Sequence, residues 1–181
     1  MILVVDMDFK KDSLGFYEFV LPIVNIAVEL EECVVKHYTE VNKKDLQRSG
    51  KIILSGTPLK DNVTLNQTSK FKWMKDCDKP ILGICAGMQT IGLVFGGRLQ
   101  ECLEIGMTQI ETLKASLLFS SKFKAYSLHN YSIQPSDEFE ALAESAKCIQ
   151  ALKHKQKNIY GVLFHPEVRN PEIIQRFVHA F

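Results

Sequence analysis

The chain has 181 residues, 46% of them hydrophobic and 24% charged, which excludes a disordered, collagen-like or low-complexity protein. At roughly 150 residues per domain, this length predicts one domain that spans residues 1–181. The 22 Lys and Arg residues nearly balance the 21 Asp and Glu residues, so a dedicated nucleic-acid binder is not expected. No apolar run approaches the roughly 20 residues that span a bilayer, and the first residues lack the order of a signal peptide. We therefore expect a cytoplasmic protein without a membrane or nucleic-acid partner.

The cysteines give no sign of a metal or disulfide site. There are five, at positions 33, 77, 85, 102 and 148, and no two have the CxxC spacing of a zinc or redox motif. In a reducing compartment they are expected to be free thiols, most of them buried as small apolar side chains. We therefore predict no bound metal and no cofactor. The open question is whether one cysteine is a nucleophile.

The first half of the chain alternates short apolar runs with helical patterns, and the second half is richer in strands. Strands are predicted at 2–5, 34–35, 52–54, 80–84, 110–113, 125–128, 148–152 and 160–164. Helices are predicted at 14–31, 43–48, 66–76, 88–95 and 171–180. Pro22 should kink the first helix or mark its start, and Asn170 suits the N-cap of the last.

This order of elements predicts an α/β fold with a mainly parallel central sheet flanked by helices and a β-rich second half. In such sheets, ligands bind at the carboxyl ends of the strands. The loops that follow Leu54, Ile84 and Phe164 are therefore the expected location of a functional site.

The segment Gly83-Ile84-Cys85-Ala86-Gly87 places a cysteine between a predicted strand and a predicted helix. The pattern is that of the nucleophile elbow of hydrolases, with sulfur in place of the serine oxygen. The N–H groups of the following helix would favour the thiolate and could hold an oxyanion. A buried structural cysteine in a Gly-rich turn is the alternative interpretation.

A histidine and a glutamate follow another apolar strand, in Phe164-His165-Pro166-Glu167. His165 could serve as a general base toward a thiol, and Glu167, two residues on, could orient its ring as the third member of a triad does. The alternative interpretation is an ordinary loop with a surface His and Glu.

Three segments together resemble the class I, or triad, glutamine amidotransferase family. They are Ser55-Gly56-Thr57-Pro58, Gly83-Ile84-Cys85-Ala86-Gly87-Met88-Gln89 and Gly161-Val162-Leu163-Phe164-His165-Pro166-Glu167. Their order, spacing and placement at strand ends agree with the family over essentially the whole chain. The resemblance implies a flavodoxin-like fold and a glutaminase that splits L-glutamine into glutamate and ammonia and delivers the ammonia to a separate synthetase.

The family's roles carry over by position. Cys85 corresponds to the nucleophile, His165 to the base and Glu167 to the orienting acid. One oxyanion donor would be the Ala86 N–H, and the other would come from the Gly56-Thr57 loop. The expected substrate-binding positions are Gly87, Gln89, His129, Asn130 and Tyr131, the last three acting mainly through backbone groups. For the His129 side chain we favour a structural role.

One departure from the family's pattern concerns the oxyanion loop. Many members have a second glycine where Thr57 stands, and a β-branched residue cannot easily adopt a positive φ. If the loop must flip a peptide to become competent, Thr57 would hold it inactive until a partner binds.

Several functions remain open at this point. Within the family, the segments Gly-Met-Gln-Thr and Val94-Phe95-Gly96-Gly97 resemble the branch whose members take part in GMP synthesis, which we favour. The histidine, anthranilate and aminodeoxychorismate branches are alternatives. So are a stand-alone thiol hydrolase of γ-glutamyl compounds and a catalytically silent regulatory module of the same fold.

Overall fold

A computed structural model describes all 181 residues and contains a nine-stranded mixed sheet in the order β2-β1-β3-β4-β9-β8-β7-β5-β6. The strands are β1 Ile2–Asp6, β2 Cys33–His37, β3 Lys51–Leu54, β4 Ile81–Ile84, β5 Arg98–Thr112, β6 Phe123–Gln134, β7 Phe139–Glu144, β8 Ile149–His154 and β9 Ile159–Val162. The helices are α1 Leu21–Val28, α2 Lys43–Arg48, α3 Trp73–Asp76, α4 Ala86–Val94, α5 Pro166–Arg169 and α6 Pro171–Ala180.

Five strands, β2, β1, β3, β4 and β9, form the parallel half of the sheet. Their sequences are short and almost wholly apolar, as expected for strands covered on both faces. In β1, Ile2 and Val4 pack into the core on one face, and Leu3 and Val5 pack into the core on the other. The predicted α/β class with a mainly parallel central sheet is confirmed.

The other four strands are antiparallel, and two of them are much longer than the sequence pattern predicted. Strands β5 and β6 form one long hairpin whose register shifts at a bulge between Glu101 and Glu104. Exposed residues recur along β5 and polar residues interrupt β6, so apolar residues mark only part of each strand. Strand β7 was not predicted because its sequence, FEALAE, is rich in residues that disfavour strands.

Two predicted helices are wrong in extent. The segment predicted as one helix at 14–31 is helical over 14–28, and a π-helical turn, Phe16–Val20, leads directly into α1 beside Pro22, where a kink or start was predicted. The segment predicted at 66–76 consists of two 3₁₀ turns, Thr64–Asn66 and Thr68–Phe71, and then the short α3. Helix α4 begins at Ala86, two residues earlier than predicted, and α5 was not predicted.

The final helix begins at Pro171, as predicted, but Asn170 makes no side-chain capping hydrogen bond. Its backbone angles, φ −122° and ψ 59°, instead turn the chain between α5 and α6. No helix combines the length and the apolar character that crossing a bilayer requires. The parallel strands β3, β4 and β9 lie side by side, so the loops after them meet at one edge of the sheet.

Candidate active site

Cys85 occupies a sharp turn between β4 and α4. Its backbone angles, φ 48° and ψ −104°, lie in a region that non-glycine residues rarely adopt. The turn requires the neighbouring glycines because it leaves no space for a side chain at either position. A Cβ atom at Gly83 would lie 2.6 Å from the Gly87 carbonyl carbon, and a Cβ atom at Gly87 would lie 2.7 Å from the Leu54 carbonyl oxygen. The nucleophile-elbow geometry predicted from the sequence is therefore present.

His165 follows β9 and lies against Cys85. The His165 backbone N–H donates to the Tyr126 carbonyl at 2.8 Å, which ties the loop to β6. A Cβ on Gly56 would lie 2.6 Å from His165 Cε1 and 3.5 Å from Cys85 Cβ, so Gly56 contacts both side chains. The ring is buried, and its Nε2 makes no hydrogen bond.

Glu167 contacts the His165 ring and is the third residue of the row Cys85, His165 and Glu167. Its Oε1 lies 2.7 Å from His165 Nδ1, and both side chains are almost fully buried. Pro166 between them begins α5, which fixes the turn and brings the carboxylate back toward the ring. With Nδ1 donating to Glu167, Nε2 is the nitrogen free to exchange a proton with sulfur.

The electrostatic environment favours a charged imidazole. Burial alone would lower the pKa of His165, but the charges of Glu167 and Cys85 raise it by more, so the pKa of His165 lies well above its ordinary value. An imidazolium next to sulfur stabilises a thiolate. The α4 N-terminus adds unpaired N–H groups, beginning with that of Ala86, which has no acceptor within the helix.

The loop after β3 forms one wall of the site. Ser55 Oγ accepts from the Met7 N–H at 3.1 Å and donates to the Gly56 carbonyl at 2.9 Å. Thr57 Oγ1 donates to the Asp61 carbonyl at 2.9 Å. Neither Gly56 nor Thr57 has a positive φ, so the loop is in a backbone conformation that any residue can adopt.

Strand β6 forms the opposite wall. The Leu128 carbonyl accepts from the Cys85 thiol at 3.6 Å, and the Tyr131 carbonyl accepts from Gln89 Nε2 at 2.6 Å. Asn130 lines the cavity between the walls, which has a volume of only about 10 Å³. That is roughly enough for one water molecule, so a substrate the size of an amino acid requires the walls to separate.

His129 belongs to the same wall and lines the cavity, and its side-chain nitrogens contact strand β5. Its Nδ1 lies 3.0 Å from the Cys102 carbonyl and its Nε2 lies 3.3 Å from Glu104 Oε2. Burial lowers the pKa of His129, and this outweighs the opposite effects of Cys102 and Glu104. These contacts agree with the structural role favoured for this side chain.

Asp61 is a site residue that the sequence pattern did not predict. It lines the cavity together with Asn62. Its Oδ2 accepts from the Phe9 N–H at 2.7 Å and its Oδ1 accepts from the Val63 N–H at 3.3 Å. It thereby joins the loop after β1 to the loop after β3. The sequence feature that could have indicated this position is the pair Asp61-Asn62 in a turn-rich loop, because Asp and Asn both favour turns.

Comparison with known proteins relates this chain to glutamine amidotransferases and to GMP synthases. The family model described as glutamine amidotransferase class-I matches residues 17–181. A GMP synthase (glutamine-hydrolyzing) subunit of Methanosphaera stadtmanae is 35% identical over 162 residues, which are 83% of this chain and 84% of that protein. GMP synthase (glutamine-hydrolyzing) of Borreliella burgdorferi is 38% identical over 160 residues, covering 82% of this chain but 30% of that longer protein.

Solved structures show the same fold. A protein of Thermoplasma acidophilum, reported as a candidate GMP synthase subunit, superposes with a TM-score of 0.83 at 25% identity, covering 99% of this chain and 93% of that one. A glutamine amidotransferase of Thermotoga maritima superposes with a TM-score of 0.71 at 17% identity, over 99% and 81% of the two chains.

Proposed function

The chain belongs to the class I glutamine amidotransferase family, and we propose that residues 1–181 form one glutaminase domain that splits L-glutamine into glutamate and ammonia. The observation that carries this proposal is the row formed by Cys85, His165 and Glu167. It combines a cysteine at a helix N-terminus with a buried histidine held by a buried carboxylate. This is the arrangement that activates a thiol for acyl transfer.

In the first half of the reaction, the Cys85 thiolate attacks the side-chain amide carbon of glutamine. Negative charge develops on the amide oxygen, where the Ala86 N–H and a backbone N–H of the Gly56-Thr57 loop would donate to it. The imidazolium of His165 then gives its proton to the amide nitrogen. The C–N bond breaks, ammonia leaves, and a thioester to Cys85 remains.

In the second half, His165 removes a proton from water, and the resulting hydroxide attacks the thioester carbon. The C–S bond breaks, glutamate leaves, and the imidazolium–thiolate pair is restored. Glu167 holds the ring orientation and stabilises the imidazolium through its 2.7 Å contact with Nδ1. Substrate glutamine would be held by the helix start at Gly87, by Gln89, and by backbone groups of His129, Asn130 and Tyr131.

The ammonia would pass to a separate synthetase, and we propose one that forms GMP. This rests on the relatives, which are named as GMP synthase or one of its subunits. The narrow cavity supports a dependence on that partner, because a site of about 10 Å³ must open before glutamine can enter. A synthetase that binds the open form better would raise glutaminase activity.

The test is steady-state ammonia release from glutamine, measured for the wild type and Cys85→Ala, each with and without a GMP-forming synthetase. We expect weak wild-type activity alone, a marked increase with the synthetase, and none above background for Cys85→Ala. GMP formation in the same mixture should depend on glutamine and on Cys85. Full activity without any partner would favour a stand-alone hydrolase, and no hydrolysis under any condition would favour a silent module.

A further inference from the structure

A second cluster of reactive side chains surrounds the His129 side chain of the β6 wall. The bulge in β5 brings Cys102 and Glu104 next to His129 of β6. One ligand atom from each of the three residues lies within 4.8 Å of the others, and Glu104 and His129 are buried. Sulfur, carboxylate oxygen and imidazole nitrogen together are the donor set that zinc prefers.

The hydrogen bonds of His129 direct a lone pair into this cluster. Its Nδ1 lies 3.0 Å from the Cys102 carbonyl, which can only accept, so Nδ1 carries the proton. A neutral ring then has its lone pair on Nε2, which faces Glu104 Oε2 at 3.3 Å. Metal-binding histidines commonly show this arrangement, with one nitrogen bound to a backbone carbonyl and the other turned to the ion.

The chain just before strand β8 contributes a fourth donor. Cys148 Sγ lies 3.7 Å from Glu104 Oε2. Tetrahedral zinc with bonds of about 2.0–2.3 Å places its ligand atoms about 3.3–3.8 Å apart. Cys102, Glu104 and His129 already lie within 4.8 Å of one another, and Cys148, which is close to Glu104, would have to turn its sulfur toward them to complete the site.

Gln150 provides an independent indication that the centre of the cluster is suited to positive charge. Its Nε2 lies 2.6 Å from Glu104 Oε2, 3.3 Å from Cys148 Sγ and 3.4 Å from His129 Nε2. Ser145 Oγ lies 3.5 Å from the same nitrogen, so one amide nitrogen with two protons faces four acceptors. Its Oε1, on a fully buried side chain, has no hydrogen-bond partner. A zinc ion at the centre would take the place of this nitrogen and bind the Glu104, His129 and Cys148 acceptors, and the Gln150 amide would have to move aside.

We propose that this cluster is a zinc site formed by Cys102, Glu104, His129 and Cys148. Binding would release the thiol protons of the two cysteines, because only the thiolate coordinates the metal. No spacing motif signals such a site, since its ligands come from three separate segments and the two cysteines are 46 positions apart (148 − 102). This proposal is independent of the glutaminase proposal and replaces the expectation that the chain binds no metal.

The site would stiffen the wall of the glutamine cavity. His129 directly follows Leu128, whose carbonyl accepts from the Cys85 thiol at 3.6 Å. An ion bound to the two strands of the hairpin and to the start of β8 would restrict their separation. Zinc should therefore raise the melting temperature of the protein, and the increase should grow with the logarithm of the free zinc concentration once that exceeds the dissociation constant.

The test uses the full reduced chain in a Cys85→Ala background, which removes the other Cys–His pair that could bind zinc. Zinc binding is measured by equilibrium dialysis with metal analysis, and cobalt substitution reports thiolate ligation through its absorption spectrum. We expect one equivalent bound, thiolate-to-cobalt absorption, and a higher melting temperature. Cys102→Ser and Cys148→Ser should each weaken binding at least tenfold.

Matched controls are Cys33→Ser and Cys77→Ser, which change cysteines away from the cluster and should leave affinity unchanged. Circular dichroism of each metal-free variant separates loss of a ligand from loss of the fold. The proposal is overturned if the parent binds no stoichiometric zinc. It is equally overturned if folded Cys102→Ser and Cys148→Ser proteins bind zinc as tightly as the controls.

Discussion

Gly56 contacts the edge of the His165 ring so closely that a Cβ atom at position 56 would lie 2.6 Å from His165 Cε1. Because the ring is buried and held by Glu167, it cannot move without losing its alignment with Cys85. We expect Gly56→Ala to lower kcat by on the order of 10²-fold while the protein stays folded. The matched control is Gly50→Ala, whose new Cβ would have no atom closer than 3.9 Å. Equal rates for the two variants in an ammonia-release assay would show that this contact does not position the base.

The second prediction separates the roles of His165 and Glu167. Replacing His165 with Ala removes the group that we propose transfers the proton, a contribution that is typically worth about 10²–10⁴-fold. Glu167→Ala removes only orientation and charge stabilisation, so its loss of kcat, measured by ammonia release, should be smaller. Wild-type rates in both variants would exclude this assignment.

The third prediction concerns pH. The pKa of His165 is subject to burial, which lowers it, and to the charges of Glu167 and Cys85, which together raise it well above its ordinary value. The imidazolium–thiolate pair should therefore persist above the ordinary histidine range, and kcat/KM should fall only at higher pH. Glu167→Gln removes one of the charges that raise the pKa of His165, so the decrease in kcat/KM at alkaline pH should begin at a lower pH. An unchanged limb would mean that Glu167 does not set the charge of His165.

The fourth prediction concerns gating by the loop after β3. Thr57 has a negative φ, and a competent loop with a positive φ would strain its β-branched side chain. Thr57→Gly should raise the activity of the isolated chain severalfold, since glycine adopts a positive φ without strain. The rate with the synthetase should change less, because in the proposed gating the bound partner itself favours the competent loop. A tenfold rise requires only about 1.4 kcal/mol. If Thr57→Gly leaves both rates unchanged, the loop does not gate the enzyme.

The fifth prediction concerns stability. Burial raises the pKa of Asp8 to about 7, and the charges of Asp6, Asp61 and Glu18 act in the same direction, against a hydrogen bond from Ser13. Because the folded state binds this proton more tightly than the unfolded state, the protonated carboxyl adds to the free energy of unfolding. This contribution is complete below about pH 4, declines as the carboxyl of the unfolded chain ionises, and is lost above about pH 7.

Asp8→Asn cannot ionise, so its unfolding free energy relative to wild type should rise between pH 4 and 8, by at most about 4 kcal/mol. Urea denaturation at both pH values measures this. The control is Asp12→Asn, which changes an exposed carboxyl in the same loop to a residue that tolerates its positive φ. A constant difference between Asp8→Asn and wild type across the range would contradict the buried, ionisable role of Asp8.

The parallel half of the fold and the reactive turn were predictable because each has a local signal. Short apolar runs indicate strands that are buried on both faces, as in β1 and β4. The glycines around Cys85 indicate a turn with no room for side chains, and the structure shows backbone atoms within 2.7 Å of where their Cβ atoms would lie.

Other features depend on contacts between distant segments and have no local signal. Strand β7 is held by pairing with β8 and β5 rather than by its own propensity. Asp61 joins two loops whose proximity follows only from the sheet order. The Cys102–Glu104–His129–Cys148 cluster arises from a bulge and three separate segments. Asn170 had the right residue type for a cap, yet the turn after α5 prevents its side chain from capping α6.

The most direct test of the proposed mechanism is covalent labelling with a glutamine analogue that carries an electrophilic carbon in place of the side-chain amide, followed by peptide mass spectrometry. We predict stoichiometric labelling at Cys85, protection by glutamine, and a strong decrease in labelling rate in His165→Ala. The other four cysteines should remain unlabelled under the same conditions. Labelling of another cysteine at a similar rate, or labelling of Cys85 that neither glutamine nor His165→Ala affects, would contradict the mechanism.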